Sequence, residues 1–218
     1  MKGMIGEIET YAQIQTYASC MQDTFANAVL SYRNTLARLG CTDMQVLNWL
    51  ASITWPTSDD DNFGDVYAAP VTLTPANHEP ITCSGIEISL YAQLAVPTIE
   101  EPPSWVGFNL LFDIQQLKQE IIAPYSAGIG STIWHILRTL ANPFKELGAY
   151  FTDEWQENLT WRSLVENTGD PWTFELGIFP RSLSEHFKMV PAGFEGTLVD
   201  GSFGFAQSNR WVVLPWKK

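Results

Sequence analysis

The chain has 218 residues, with 12 Lys and Arg against 24 Asp and Glu, a formal net charge of −12. So acidic a chain is poorly suited to wrapping nucleic acid, which needs clustered cations. Its 45% apolar and 13% aromatic content excludes disorder, and 15 Gly, 13 Pro and three Cys exclude a collagen or a disulfide scaffold.

In chain order, residues 1–55 read as a helical segment. Ile5, Ile8, Tyr11, Ile14 and Ala18 recur at three- and four-residue steps. Met21, Phe25, Ala28, Val29, Tyr32, Leu36 and Leu39 continue the period, and Gly40 stands where a C′ glycine ends a helix. Thr42-Asp-Met-Gln45 has the form of a capping box, opening a helix with Met44, Leu47, Leu50, Ala51 and Trp55 on its apolar face. Residues 56–65, rich in Pro, Gly and Asp, form an acidic linker loop.

From residue 66 the period falls to two, and residues 66–218 read as an α+β body forming one compact unit with the helices. Val71 and Leu73 mark one strand, the alternation from Ile86 to Val96 a second, and Trp105–Phe112 a third. A helix is expected over Asp113–Ile122, stopped by Pro124. Ser126–Ser131 reads as a glycine-rich turn, with Ser131 or Thr132 capping a helix that carries Ile133, Ile136, Leu137, Leu140 and Phe144. Ala149–Phe151 and Trp172–Ile178 are strand candidates, Ser182–Lys188 a short helix. Leu198–Ala206 with Arg210–Leu214 is a closing hairpin turning near Gln207-Ser208-Asn209. The fold class expected is α+β: an N-terminal helical segment packed on a mainly antiparallel sheet, with two or three further helices.

The charge is unevenly spread. Residues 1–110 hold three cations and twelve acids, residues 111–218 nine cations and twelve acids. No Lys or Arg occurs in the 79 residues between Arg38 and Lys118, which contain ten acids. Such a segment must pair with the C-terminal half, face solvent, or face a basic partner.

Chemical motifs are sparse. His78, His135 and His186 lie outside metal-ligand spacing of one another and of any Cys. Cys20, Cys41 and Cys83 include no Cys-x-x-Cys pair and read as reduced, buried thiols. Asp59–Asp65 fails as an EF-hand, with Phe63 at the fifth position and Pro70 at the twelfth. Gly128-Ile-Gly130-Ser131 lacks the lysine of a phosphate-binding loop and the third glycine of a dinucleotide fingerprint. No cofactor, metal site or catalytic residue is assigned.

Acids and aromatics together point to a protein-binding surface made of Asp59, Asp60, Asp61, Asp65, Glu100, Glu101, Asp153, Glu154 and Trp155. The expected function is a non-enzymatic acidic binding protein, such as an immunity protein or inhibitor, neutralising a basic protein. The alternatives are a structural subunit of a phage or other large assembly, and a hydrolase whose carboxylates converge only in the fold. A cytoplasmic chain bound neither to membrane nor to nucleic acid is expected, with no apolar stretch near the roughly 18 residues of a membrane span.

Overall fold

The computed structural model describes residues 11–56, 62–91, 104–118, 120, 122–153 and 159–217; the side chains of Asn62 and Phe63 are outside the description. Of the residues proposed for binding, Asp59, Asp60, Asp61, Glu100, Glu101, Glu154 and Trp155 lie outside it, as do Ile5, Ile8 and the 92–96 end of the long alternating run.

Among the described residues, eight strands form one antiparallel sheet. They are β1 (Tyr11–Cys20), β2 (Asn62–Tyr67), β5 (Gly85–Tyr91), β6 (Ser104–Asp113), β7 (Ala149–Thr152), β8 (Leu176–Phe179), β9 (Phe194–Val199) and β10 (Ser202–Gln207). Their spatial order is β2-β5-β6-β1-β7-β8-β10-β9. Strands β3 (Val71–Leu73) and β4 (Ile81–Cys83) pair as a separate hairpin. The helices are α1 (Gln22–Arg38), α2 (Met44–Ser52), α3 (Ile114–Leu117), α4 (Ala127–Ala141) and α5 (Leu159–Val165). The architecture is α+β, as expected.

Side-chain parity explains the layering, because successive strand residues point to opposite faces. Ala12 and Ile14 of β1, Ile86 and Ile88 of β5, Phe108 and Leu110 of β6, and Phe151 of β7 enter one core with α1, α2 and α4. The opposite parity, Tyr17, Tyr150, Phe179 and Phe205, joins Trp161 and Leu164 of α5, Phe174 and Phe187 in a second, aromatic core.

The largest correction falls on residues 11–20. They form a central strand, hydrogen-bonded to β6 on one side and β7 on the other. A helical stripe through Tyr11, Ile14 and Ala18 was expected; the residues instead face two cores alternately. Gln13, Gln15 and Thr16 are buried within the sheet, where Thr16 Oγ1 donates to the Gly148 carbonyl at 2.7 Å and Gln15 Nε2 to Asn109 Oδ1 at 3.4 Å.

The next two helices stand where expected. Phe25, Val29, Tyr32 and Leu36 of α1 are buried, and Gly40 takes φ +81°, the left-handed conformation of a C′ residue. The cap of α2 shifts by one residue: Asp43, not Thr42, accepts from Gln45 N at 2.8 Å. Val46 joins its buried face, while Met44 is exposed. The linker expected over 56–65 ends earlier, since β2 begins at Asn62.

The helix expected over 113–122 is a single turn, α3, capped by Asp113; Lys118 then turns into extended backbone. Helix α4 starts earlier than expected, capped by Ser126, so Gly128 and Gly130 are helical. Both glycines permit close approach. The Glu79 carboxylate lies where a Cβ at Gly128 would stand, 2.6 Å from Oε2, and a Cβ at Gly130 would meet the Trp211 ring at 3.1 Å. Trp172 and Phe174 lie outside β8 and pack in the aromatic core. Residues 181–187 form a 3₁₀ helix. The last hairpin is β9–β10, turning at Asp200 and Gly201, both with positive φ, and not at 207–209. Beyond it, Trp211 makes an isolated bridge to Tyr125, and 210–214 form no strand.

Candidate functional site

Charge converges at one interior point. Asp153 follows β7, Lys118 follows α3, Glu175 precedes β8 and Arg210 follows β10. Lys118 Nζ donates to Asp153 Oδ2 at 2.7 Å, Tyr125 OH donates to the same oxygen at 3.1 Å, and Arg210 Nη2 pairs with Asp153 Oδ1. The backbone N–H of Asp153 donates to Glu175 Oε2 at 2.8 Å, and Lys118 Nζ stands 4.1 Å from the centre of the Tyr125 ring. Asp153, placed by sequence on a binding surface, is 2% exposed. Buried carboxylates need paired charge and donated hydrogen bonds, and this one has both.

The two carboxyls are driven apart in acidity. Burial, with the charge of Asp153 beside it, pushes Glu175 up to about 8. Burial also acts to raise Asp153, but hydrogen bonds from Lys118, Glu175 and Arg210 prevail and hold it below the ordinary range. A protonated and an ionised carboxyl side by side have the form of an acid–base couple. Here both side chains are buried and bound by cations, so the geometry ties five elements together.

A second polar arrangement crosses the sheet on its aromatic side. Register aligns Glu87, Asn109 and Gln15 on three neighbouring strands. Asn109 Nδ2 donates to Glu87 Oε2 at 3.1 Å, and Gln15 Nε2 donates to Tyr17 OH at 3.2 Å. Tyr17 stacks on Trp161 at 5.7 Å and on Tyr150 at 6.2 Å. Trp134, Trp161 and Trp211 are buried, and Trp105 and Trp172 pack against the aromatic core.

His78 and His135, unrelated in sequence, stack with ring centres 4.4 Å apart. The loop bearing His78 lies along α4, where Ser131 Oγ is 3.3 Å from His78 Nδ1 and Thr132 Oγ1 donates to the Glu79 carbonyl. The Glu79 carboxylate therefore occupies the first turn of α4, where the helix dipole favours negative charge. Among the described residues no group of three or more His, Cys, Asp or Glu is placed to hold a metal ion.

Asp65 lies on the edge strand β2, opposite Ile88. Asn62 pairs with Tyr91 and Tyr91 with Trp105, so the residues flanking segments 57–61 and 92–103 share one end of the sheet. Asp153 belongs to the other end. Ser19 of β1 is level with Trp105 and Gln13 with Thr152, six residues or about 20 Å along the strand.

Every ion pair among the described residues takes its carboxylate from Asp153, Glu175, Glu185, Glu195 or Asp200. Of the described acids of the N-terminal half, Asp43 caps α2 and Glu87 accepts from Ser89 and Asn109.

Four cations gather elsewhere. A groove of about 670 Å³ is lined by Arg38, Arg138, Lys145 and Arg181 together with His135, Ile178, Pro180 and Asp200. No helix among the described residues is long and apolar enough to cross a membrane. Comparison of the chain with protein-family models, with curated proteins and with solved structures finds no match.

Proposed function

We propose that this chain is a non-enzymatic binding protein whose acidic N-terminal half engages a basic protein, as an inhibitor or immunity protein does. The carrying observation is the row Asn62–Tyr91–Trp105. It brings the flanks of the two acidic segments, Asp59–Asp61 and Glu100–Glu101, within two strand spacings, about 10 Å. The ion-pair pattern supports the same reading, because every ion pair among the described residues takes its carboxylate from the C-terminal half and leaves the described acids of the N-terminal half outside such pairs. Negative charge left uncompensated speeds encounter with a basic partner and selects it.

The test is affinity capture at low salt with the parent chain and with a variant neutralised at Asp59, Asp60, Asp61, Glu100 and Glu101. Basic proteins held by the parent, released as salt rises and absent from the variant, support the reading. Identical capture by both chains overturns it.

A structural subunit of a larger assembly has its own support. Among the described residues the sheet ends at β2 and β9, and the edge residues Val66 and Leu198 are 51% and 63% exposed. Open edges are templates for strand addition. Sedimentation separates the two readings, since an assembly subunit self-associates with rising concentration and is insensitive to the acid substitutions.

A further inference from the structure

The groove described above concentrates positive charge in an otherwise acidic chain. Arg38 comes from the last turn of α1, Arg138 from α4, Lys145 from the segment after α4, and Arg181 from the residue pair that follows β8. These are four of the twelve cations of a chain with net charge −12. Helix C-termini favour cations through the dipole, which accounts for Arg38 and Arg138 individually. It does not account for Arg181, which follows a strand, nor for the convergence of elements more than 100 residues apart in sequence. The single carboxylate on the wall, Asp200, is spoken for: Arg138 Nε and Nη2 both donate to its Oδ2, at 2.9 and 2.8 Å. Lys145 and Arg181 have no ion pair among the described residues, and Arg38 Nη2 donates only to Thr35 Oγ1. Ile178, Pro180, Val199 and Ala141 supply an apolar floor.

We propose that this groove is a binding site for a small phosphorylated molecule. Its phosphate groups would lie between Lys145, Arg181 and Arg38, and its organic body against Ile178, Pro180 and Val199. Guanidinium groups match phosphate oxygens with paired donors, and the excess of cations over carboxylates suits a ligand with more than one negative charge. The volume falls within the range of small-molecule pockets. Cations in a concave wall focus a positive potential. The site is independent of the acidic surface proposed above, and no residue is shared between them.

Inorganic pyrophosphate is the probe, titrated calorimetrically into the full chain at constant ionic strength. The parent should bind it saturably, and more tightly than inorganic phosphate. Lys145→Gln and Arg181→Gln, both exposed positions, should each weaken it about tenfold, the loss of a charge-assisted contact. Lys188→Gln, which removes an exposed cation outside the groove, should leave binding unchanged. Urea midpoints equal to the parent's establish that each variant is folded. Absence of saturable pyrophosphate binding overturns the proposal, and so does equal weakening by Lys188→Gln. A single-stranded oligonucleotide that binds tightly and is not displaced by pyrophosphate overturns the assignment to a small molecule.

Discussion

Lys118 Nζ and Asp153 Oδ2 lie 2.7 Å apart, with each side chain 1% exposed. The pair joins the residue after α3 to the residue after β7, and Tyr125 and Arg210 complete the shell around the carboxylate. Removing one partner of a buried pair strands the other charge, which costs about 3–5 kcal/mol. Asp153→Asn should therefore lower unfolding stability by that amount in urea titrations. Asp153→Asn combined with Lys118→Met should cost less than the two single substitutions added together. Strict additivity would show that the pair is not coupled.

Glu175 and Asp153 make opposite contributions to the pH profile. Burial and the charge of Asp153 raise Glu175 from 4.5 to about 8. Between these values the unfolded chain has lost the proton that the folded chain still holds. The stability it contributes is full below about 4.5, declines as pH rises and is gone above about 8. The lowered Asp153 works the other way: its contribution is present above its ordinary 3.8 and is lost as pH falls through its lower folded value. Urea midpoints should fall between about pH 5 and about pH 8, and fall less steeply in Glu175→Gln, whose side chain has no proton to release. Parallel profiles for the two chains would count against a raised Glu175.

Tyr32 carries a different kind of strain. Its ring stacks on Phe108 at 4.4 Å, and its hydroxyl is buried without a hydrogen-bond partner among the described residues. A buried unsatisfied hydroxyl costs about 1–3 kcal/mol relative to one that is paired. Tyr32→Phe keeps the stack and removes that cost, so it should leave stability equal or raise it by about 1 kcal/mol. A clear loss, read from the urea midpoint, would show that the hydroxyl has a partner.

The three cysteines should be unreactive in the folded chain. Cys20, Cys41 and Cys83 are buried, and burial pushes the thiols of Cys20 and Cys83 up to about 11 and about 12. The thiolate is the reactive form, so maleimide labelling at neutral pH should be slow in buffer and complete in denaturant. Rapid native labelling at any of the three would contradict their placement.

Much of the fold follows from local pattern. Helices α1 and α2 and strand β5 were legible because each shows one apolar period over a contiguous run, β6 because its run is almost wholly apolar, and Gly40 marks its helix end through a conformation other residues resist. Strand β1 was not legible, because it is buried on both faces and its pairing strands, β6 and β7, lie far along the chain. The β9–β10 turn did carry a local signal: Asp200-Gly201 between alternating segments is a hairpin dipeptide. It was outweighed by the polar run at 207–209.

The sequence by itself determined the acid excess, its concentration in the 79 residues after Arg38, the α+β class and the solitary thiols, because each depends on composition or on neighbours a few positions apart. Only the tertiary structure decided which charges meet. Asp153 reads as a surface acid beside Glu154, yet Lys118 and Arg210, 35 and 57 residues away, draw it into the interior. The cationic groove arises the same way, from four elements whose proximity depends on strand order and helix packing. Long-range pairing of charge is set by topology, and no period of two or 3.6 residues records it.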